Sequence, residues 1–166
     1  MKSNIVIKPL IDHPEAIPEL VDWFVTQWPE YYGVDGKGNA QKDVENYANN
    51  GTIPLGLVAY KGNQLCGFMA LKAESFASLT YSEPWVGAGF VLPEMRAQGI
   101  GTRLLSAIEN KAASMGYSQL YSGTAKSHGL LQRAGWTREN EVFQDGKKVT
   151  IGMDEPGFSD KKKTKK

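Results

Sequence analysis

The sequence has 166 residues, of which 41% are hydrophobic and 10% aromatic, and a formal net charge of +1. This length and composition fit one domain with its own hydrophobic core. No apolar run approaches the roughly 20 residues that span a membrane, and no signal-peptide segment follows the start. We therefore expect a cytoplasmic protein without membrane association. The single cysteine, Cys66, excludes an intramolecular disulfide and is expected to be a small core residue.

The basic residues are unevenly distributed along the chain. Five of the 19 lysines and arginines lie within residues 161–166, so the rest of the chain is mildly acidic. Such a run is typical either of a solvated tail or of a segment that binds nucleic acid or anionic lipid. No aromatic residue interleaves it, so we favour the tail and expect no nucleic-acid partner. The predicted organisation is a single domain over residues 1–156 followed by a disordered tail over residues 157–166.

The first ninety residues predict a strand, two helices and a hairpin. A β-branched run over residues 4–9 predicts the first strand, and the apolar spacing from Ile17 to Trp28 predicts an amphipathic helix. Asp12 with Glu15 three positions later predicts the N-cap of that helix. A weaker helix is expected over residues 39–49. Two apolar runs, over residues 54–60 and 65–71, flank a polar Gly-Asn turn and predict a hairpin.

Three aromatic residues and an acid occur together after the first predicted helix, at Trp28, Glu30, Tyr31 and Tyr32. Proline and three glycines in residues 29–38 exclude regular structure there, so we expect a loop. Two interpretations remain open. The aromatic side chains fold back as a lid on the core, or they form a substrate-binding wall that stacks on a cationic group.

The second half of the chain predicts alternating strands and helices. Residues 85–91 predict a strand whose glycines indicate a bulge or a close backbone approach. Helical spacing follows the glycine turn and stops at Gly116. Beyond it we expect a short strand over residues 120–122, a short helix over residues 128–134, and a final hairpin with an Asp-Gly turn.

The strand, turn and helix over residues 91–102 predict an anion site. Glycines at such a junction allow backbone N–H groups to approach a ligand, and a helix N-terminus favours phosphate. A Rossmann fingerprint requires a third glycine where Leu104 stands, and a P-loop requires a lysine that is missing. Neither nucleotide-binding motif therefore fits.

The pattern that does fit is Val-x-Pro-x-x-Arg-x-x-Gly-x-Gly, from Val91 to Gly101. At these residues the chain resembles the GNAT superfamily of acetyl-CoA-dependent N-acetyltransferases, over most of residues 4–155. The resemblance implies an α/β (α+β) fold: a mixed, mostly antiparallel sheet of about six or seven strands, about four helices, and a splayed strand pair that holds the cofactor. It also implies that main-chain groups of Gly89, Phe90 and Val91 pair with the pantetheine arm. The pyrophosphate would be held by amides of Arg96, Ala97, Gln98, Gly99, Ile100, Gly101 and Thr102.

The resemblance further implies direct attack of an amine on the thioester in a ternary complex, with no enzyme nucleophile and no metal. Many relatives carry a tyrosine four residues before the glycine of the short helix, as general acid for the thiolate; Leu131 stands there. We therefore hold His128 and Tyr121 as candidate acids, and Glu83 as a base acting through water. Each also has a structural interpretation: a cap residue, a packing aromatic and a solvated charge, respectively.

The acceptor is the least determined part of the prediction. Residues 1–90 contain 6 lysines against 10 acidic residues, and together with the aromatic segment they favour a cationic small molecule. A protein or peptide amine is the alternative. With the usual tyrosine missing, a non-catalytic acyl-CoA sensor is a third possibility. We expect acetyl-CoA as co-substrate and a monomer or homodimer.

Overall fold

The computed structural model describes residues 4–49, 51–72, 85–117, 120–124, 137–144 and 147–154. Seven strands form one sheet: β1 (Ile5–Pro9), β2 (Leu55–Lys61), β3 (Gln64–Lys72), β4 (Trp85–Val91), β5 (Leu120–Thr124), β6 (Thr137–Gln144) and β7 (Lys147–Asp154). The helices are α1 (Ile17–Gln27), α2 (Pro29–Tyr32), α3 (Ala40–Asn46) and α4 (Ile100–Ser114). No helix within these ranges is long and apolar enough to cross a membrane.

The strand order in the sheet is β1-β2-β3-β4-β5-β7-β6. All neighbouring pairs are antiparallel except β4 and β5, which run parallel. A parallel connection needs a crossover, and the amphipathic α4 supplies it between β4 and β5. The predicted mixed, mostly antiparallel sheet with four helices is confirmed.

Each face of the sheet is covered by different helices. On one face α4 packs through Ile100, Leu104 and Ile108 against residues such as Leu57 and Met69. This side is called the α4 face. On the other, the α1/α3 face, the buried positions are Leu20, Phe24, Val44, Val58, Phe68 and Ala70. Because side chains alternate along a strand, consecutive residues of β3 belong to opposite faces.

Gly67 of β3 allows the close approach of α4. A Cβ atom there would lie 3.0 Å from Leu104 Cδ1 and 3.1 Å from Ile100 Cγ2. The absence of a side chain therefore lets the first turn of α4 lie directly on the sheet. This packing fixes the N-terminus of α4 beside the end of β4.

Two local predictions were wrong. Asp12 does not cap α1: residues Leu10–Asp12 form a 3-10 turn, a second such turn covers Pro14–Ala16, and α1 begins at Ile17 without a side-chain cap. The carboxylate of Glu15 instead forms a 2.8 Å hydrogen bond with His13 Nδ1, and this local hydrogen bond competes with capping of the helix. The aromatic segment is also not wholly irregular, because Pro29–Tyr32 forms the short helix α2. Proline suits the first turn of a helix, so it starts α2 rather than preventing it.

The remaining elements differ from prediction mainly at their ends. The second helix is Ala40–Asn46, shorter than expected, and its N-cap Asn39 accepts a 3.0 Å hydrogen bond from the Lys42 amide. The predicted hairpins and the strand from residue 85 are confirmed. The predicted short helix over residues 128–134 and the tail lie outside the described residues.

Candidate functional site

The centre of the candidate site is the point where β4 and β5 separate. Their parallel pairing joins Trp85 to Tyr121 and Val86 to Ser122, and the register of the two described strands ends there. Beyond Val86, β4 still pairs with β3 at Gly87, Phe90 and Val91, but it has no partner on β5. The structure thus contains the splayed strand pair that the family resemblance implied. An unpaired strand edge presents main-chain N–H and C=O groups to a ligand.

A bulge lies within the part of β4 that is not paired with β5. Phe68 of β3 is opposite Phe90, but Ala70 is opposite Gly87, so two residues of β4 stand against Met69. A Cβ atom at Gly89 would lie 3.3 Å from the Met69 methyl group, a tight contact. The bulge indicated by the glycines is therefore present, and it turns main-chain groups of β4 away from regular pairing.

The turn between β4 and α4 is exposed and has unusual backbone angles. Residues Pro93–Met95 form a 3-10 turn, and the following residues from Arg96 to Gly99 are exposed. Ala97 has φ of 65° and Gly99 has φ of 80°. A Cβ atom at Gly99 would meet nothing within 4 Å. Space beside this backbone is therefore open to a ligand, as an anion-binding nest requires.

The N-terminus of α4 continues this turn. The first helical hydrogen bond is donated by the Arg103 amide to the Gly99 carbonyl, at 3.0 Å. The N–H groups of Ile100, Gly101 and Thr102 precede it in the helix. No acidic residue lies in the first turn, so nothing there opposes the positive end of the helix dipole. The backbone and the charge of this turn are compatible with phosphate, and the phosphate site stays a prediction.

Arg96 fixes the geometry between strand and turn. Its Nε atom donates a 2.8 Å hydrogen bond to the carbonyl of Val91, and its guanidinium lies over the Phe90 ring. The Phe90 ring in turn contacts Trp23 of α1, with ring centroids 5.1 Å apart. One arginine thereby joins the turn to β4, and an aromatic pair joins β4 to α1. The side chain of Gln98 is also tied, since it accepts a 3.4 Å hydrogen bond from Lys61 Nζ.

The aromatic segment contributes to both the core and the surface. Trp28 and Tyr32 pack on Phe24, with ring centroids 5.2 and 5.5 Å from it. Tyr31 is 51% exposed, and Glu30 is exposed on the same short helix. Trp28 and Tyr32 thus have the arrangement expected of a lid on the core. Tyr31 and Glu30 are the members of the segment whose side chains are accessible to a ligand.

Tyr32 also connects the aromatic segment to α3. Its hydroxyl donates a 2.7 Å hydrogen bond to Asp43 Oδ2. Burial, with this hydrogen bond and the nearby carboxylate, raises the pKa of Tyr32 well above the ordinary value of 10.0. The phenol therefore remains a proton donor at neutral pH.

The structure gives limited information on the candidate catalytic residues. Tyr121 lies in β5, paired with Trp85 on β4 and Met153 on β7, which places its backbone where the two strands begin to separate. His128, Glu83 and Leu131 lie outside the described residues. Cys66 is fully buried, its thiol donates to the Ala59 carbonyl at 3.3 Å, and burial raises its pKa. As expected, it is a core residue.

Sequence reasoning did not single out Lys72. This lysine is the last residue of β3 and is partly buried on the α1/α3 face, beside Gly87. The signal was present in the alternation of β3, since Phe68, Ala70 and Lys72 share one face. A lysine that continues an inward-facing series is unusual and marks the position.

Comparison with known structures identifies the same fold in enzymes. An aminoglycoside 6'-N-acetyltransferase complexed with coenzyme A is 17% identical, with a TM-score of 0.73 over 90% of this chain and 96% of that one. The corresponding enzyme from Enterococcus faecium gives 17% identity, a TM-score of 0.71 and the same coverage. A protein from Salmonella typhimurium, solved with its cofactor acetyl-CoA, is 17% identical, with a TM-score of 0.69 over 92% of this chain and 94% of that one. No curated protein gives a significant sequence match.

A family model identifies the chain from its sequence. The model of the acetyltransferase (GNAT) family matches residues 17–136, which include α1, the separated strands, the glycine turn and α4. The match extends over most of the chain, and the structural likeness agrees with it. The chain therefore belongs to the GNAT family of acetyltransferases.

Proposed function

We propose that this enzyme transfers an acetyl group from acetyl-CoA to the primary amine of a small cationic molecule. The observation that supports this most strongly is the open edge of β4 leading directly into an exposed, glycine-containing turn at the N-terminus of α4. The edge and the turn together offer main-chain groups to an extended arm and N–H groups to its phosphates.

The proposed donor-binding residues are those that the family resemblance implies, and this arrangement supports them. Main-chain groups of Gly89, Phe90 and Val91 pair with the pantetheine arm. Amides of residues 96–102 hold the pyrophosphate, and Arg96 keeps the turn in place through its bond to Val91. When bound, acetyl-CoA supplies an activated acyl carbon. The amine nitrogen forms a bond to that carbon, the C–S bond breaks, and the sulfur leaves as a thiolate that takes up a proton.

The enzyme's own groups have two tasks in this reaction. A base must take the proton of the acceptor ammonium, and an acid must protonate the thiolate. We propose Glu83 for the first task, through water, and Tyr121 or His128 for the second. The position of Tyr121 at the last paired residues before β4 and β5 separate supports its candidacy. Tyr121→Phe and His128→Ala are made separately. We expect kcat to fall about tenfold in the one variant whose substituted residue is the acid. If neither variant changes kcat, the assignment is wrong.

The acceptor is proposed to bind on the α1/α3 face. Trp28, Glu30, Tyr31 and Tyr32 are the proposed contacts, of which Tyr31 and Glu30 are exposed and suited to a cation. The fold neighbours that act on aminoglycosides are consistent with a small-molecule amine.

The test is a panel of amines with acetyl-CoA, in which released thiol is measured. The panel contains polyamines, aminoglycosides, amino acids and peptides with free N-termini. Turnover of small amines at higher kcat/KM than any peptide supports the proposal. A preference for peptides or proteins contradicts the small-molecule acceptor. Tight coenzyme A binding without turnover of any amine would instead indicate a sensor.

A further inference from the structure

Lys72 has an unusual environment for a lysine of this enzyme. Among the described lysines that precede β4, Lys8, Lys37, Lys42 and Lys61 are exposed, whereas Lys72 is partly buried. Its side chain lies over Gly87: a Cβ atom there would be 3.2 Å from Lys72 Cδ and 3.8 Å from Nζ. The missing side chain of Gly87 thus provides the room that the lysine occupies.

This position is at the start of the open edge. Gly87 is the first residue of β4 beyond the pairs Trp85–Tyr121 and Val86–Ser122. The ammonium therefore lies on the α1/α3 face, at the point where β4 and β5 separate. Trp85, directly opposite Lys72 on β4, is fully buried.

The charge of Lys72 is not neutralised by an ion pair with the described residues. The carboxylate of Asp43 on α3 favours the charged form of Lys72, but no ion pair forms between the two. Asp43 already accepts the hydroxyl of Tyr32. Partial burial lowers the pKa of Lys72, since desolvation disfavours an ammonium. Among the described residues no group forms an ion pair with this partly desolvated cation, so an anion that binds beside it would recover part of the desolvation free energy.

The donor's phosphates do not supply that anion. They are proposed to bind at the other end of the open edge, where β4 passes into the turn before α4. Four residue steps separate Gly87 from Val91, which corresponds to about 13 Å along a strand. Of the two substrates, the acceptor would therefore supply an anionic group beside Lys72.

We propose that Lys72 is a specificity-determining residue that binds a carboxylate of the acceptor, so that the preferred substrate is an amine that also carries a carboxylate, as in an amino acid. This inference rests on the proposed function and narrows its acceptor class. The exposed Glu30 and Tyr31 suit the cationic part of such a molecule, and Lys72 holds its anionic part near the reacting end of the open edge.

The test uses pairs of amines that differ only by the α-carboxylate: lysine and cadaverine, tryptophan and tryptamine, histidine and histamine. For each pair, kcat and KM are measured by thiol release with wild type, Lys72→Met and Lys72→Arg. Lys8→Met, on the exposed edge strand β1, is the matched control for loss of one charge. We expect Lys72→Met to raise KM for the carboxylate member at least tenfold, with kcat and the decarboxylated partner little changed. Lys72→Arg should retain most of the preference.

Two results would overturn the inference. One is an equal effect of Lys72→Met on both members of every pair, which indicates a role in packing or proton transfer. The other is an unchanged KM for the carboxylate member. Both leave the proposed function intact as long as wild type acetylates some amine. If wild type acetylates no amine at all, the proposed function itself is wrong.

A binding measurement tests Lys72 without turnover. N-acetyl amino acids, the expected products, are titrated in calorimetry into wild type and Lys72→Met in the presence of coenzyme A. Binding to wild type that is lost in a folded Lys72→Met variant, as judged by an unchanged melting profile, supports the carboxylate site. Equal affinity for both proteins, or no binding to wild type, contradicts it.

Discussion

The guanidinium of Arg96 lies over the ring of Phe90, with Cζ 5.6 Å from the ring centroid. The same side chain donates its Nε–H to the carbonyl of Val91. Two consecutive residues of β4 thereby hold an arginine of the following turn. Because Phe90 also contacts Trp23, an aromatic pair connects the glycine turn to α1.

Arg96→Ala is expected to weaken coenzyme A binding about tenfold or more. The variant loses a charge-assisted hydrogen bond and a cation–π contact, each contributing on the order of 1 kcal/mol. Calorimetric titration with acetyl-CoA measures the change. Lys42→Ala, which removes an exposed positive charge on α3, is the control and should leave affinity unchanged. An affinity of Arg96→Ala equal to wild type would exclude this role for the arginine.

Gly99→Ala tests the turn itself. Gly99 has φ of 80° and Gly62, in the hairpin turn between β2 and β3, has φ of 61°; a Cβ atom meets nothing within 4 Å at either position. Both Gly→Ala variants should therefore be destabilised by a similar amount, about 1 kcal/mol, from backbone conformation alone. Only Gly99→Ala should weaken coenzyme A binding, because its methyl group enters the space proposed for phosphate. Urea denaturation and calorimetry separate the two effects. Equal affinity of the two variants would argue against a phosphate site at this turn.

The stability of the fold should fall in alkali. Burial raises the pKa of Tyr32 and of Tyr47 above 10.0, and that of Tyr60 to about 12. Between the unfolded pKa near 10 and the folded values, the unfolded state binds fewer protons than the folded state. Stability is therefore full below pH 10 and decreases above it as these phenols ionise in the unfolded state.

Urea denaturation from pH 8 to 11.5 measures this slope. Tyr32→Phe is expected to lower stability at pH 8, because the Asp43 carboxylate loses a donor, and also to flatten the alkaline slope. Tyr31→Phe, at a residue that is 51% exposed, is the control and should change neither. A wild-type free energy of unfolding that stays constant up to pH 11.5 would contradict the raised pKa values of these tyrosines.

Cys66 should be unreactive in the native enzyme. Its side chain is fully buried and its thiol pKa is raised, so the thiolate that reacts with disulfide reagents is scarce and inaccessible. Native protein is expected to react with an aromatic disulfide reagent far more slowly than protein in denaturant. Cys66→Ala should retain acetyl transfer. Rapid labelling of native protein, or loss of kcat in that variant, would show that the thiol takes part.

The sequence by itself determined the strand, turn and helix that we propose to bind the donor. The order Val91, Pro93, Arg96, Gly99 and Gly101 is local, and so are the forces behind it: a strand ends, glycine adopts positive φ, and a helix begins with free N–H groups. Local patterns also predicted the hairpins and the buried face of α1. The predicted cap at Asp12 was wrong, because the hydrogen bond between His13 and Glu15 competes with capping. The predicted loop at Pro29 was wrong, because a short helix forms there and packs on Phe24.

Only the tertiary structure decided which residues meet. The separation of β4 from β5 depends on pairing between strands about thirty residues apart, and Tyr60 reaches Glu15 across 45 residues. The division of the aromatic segment into core and exposed members depends on where Phe24 lies. The place of Lys72 depends on a glycine in a neighbouring strand. Such contacts are set by the packing of elements distant in sequence, which no local pattern encodes.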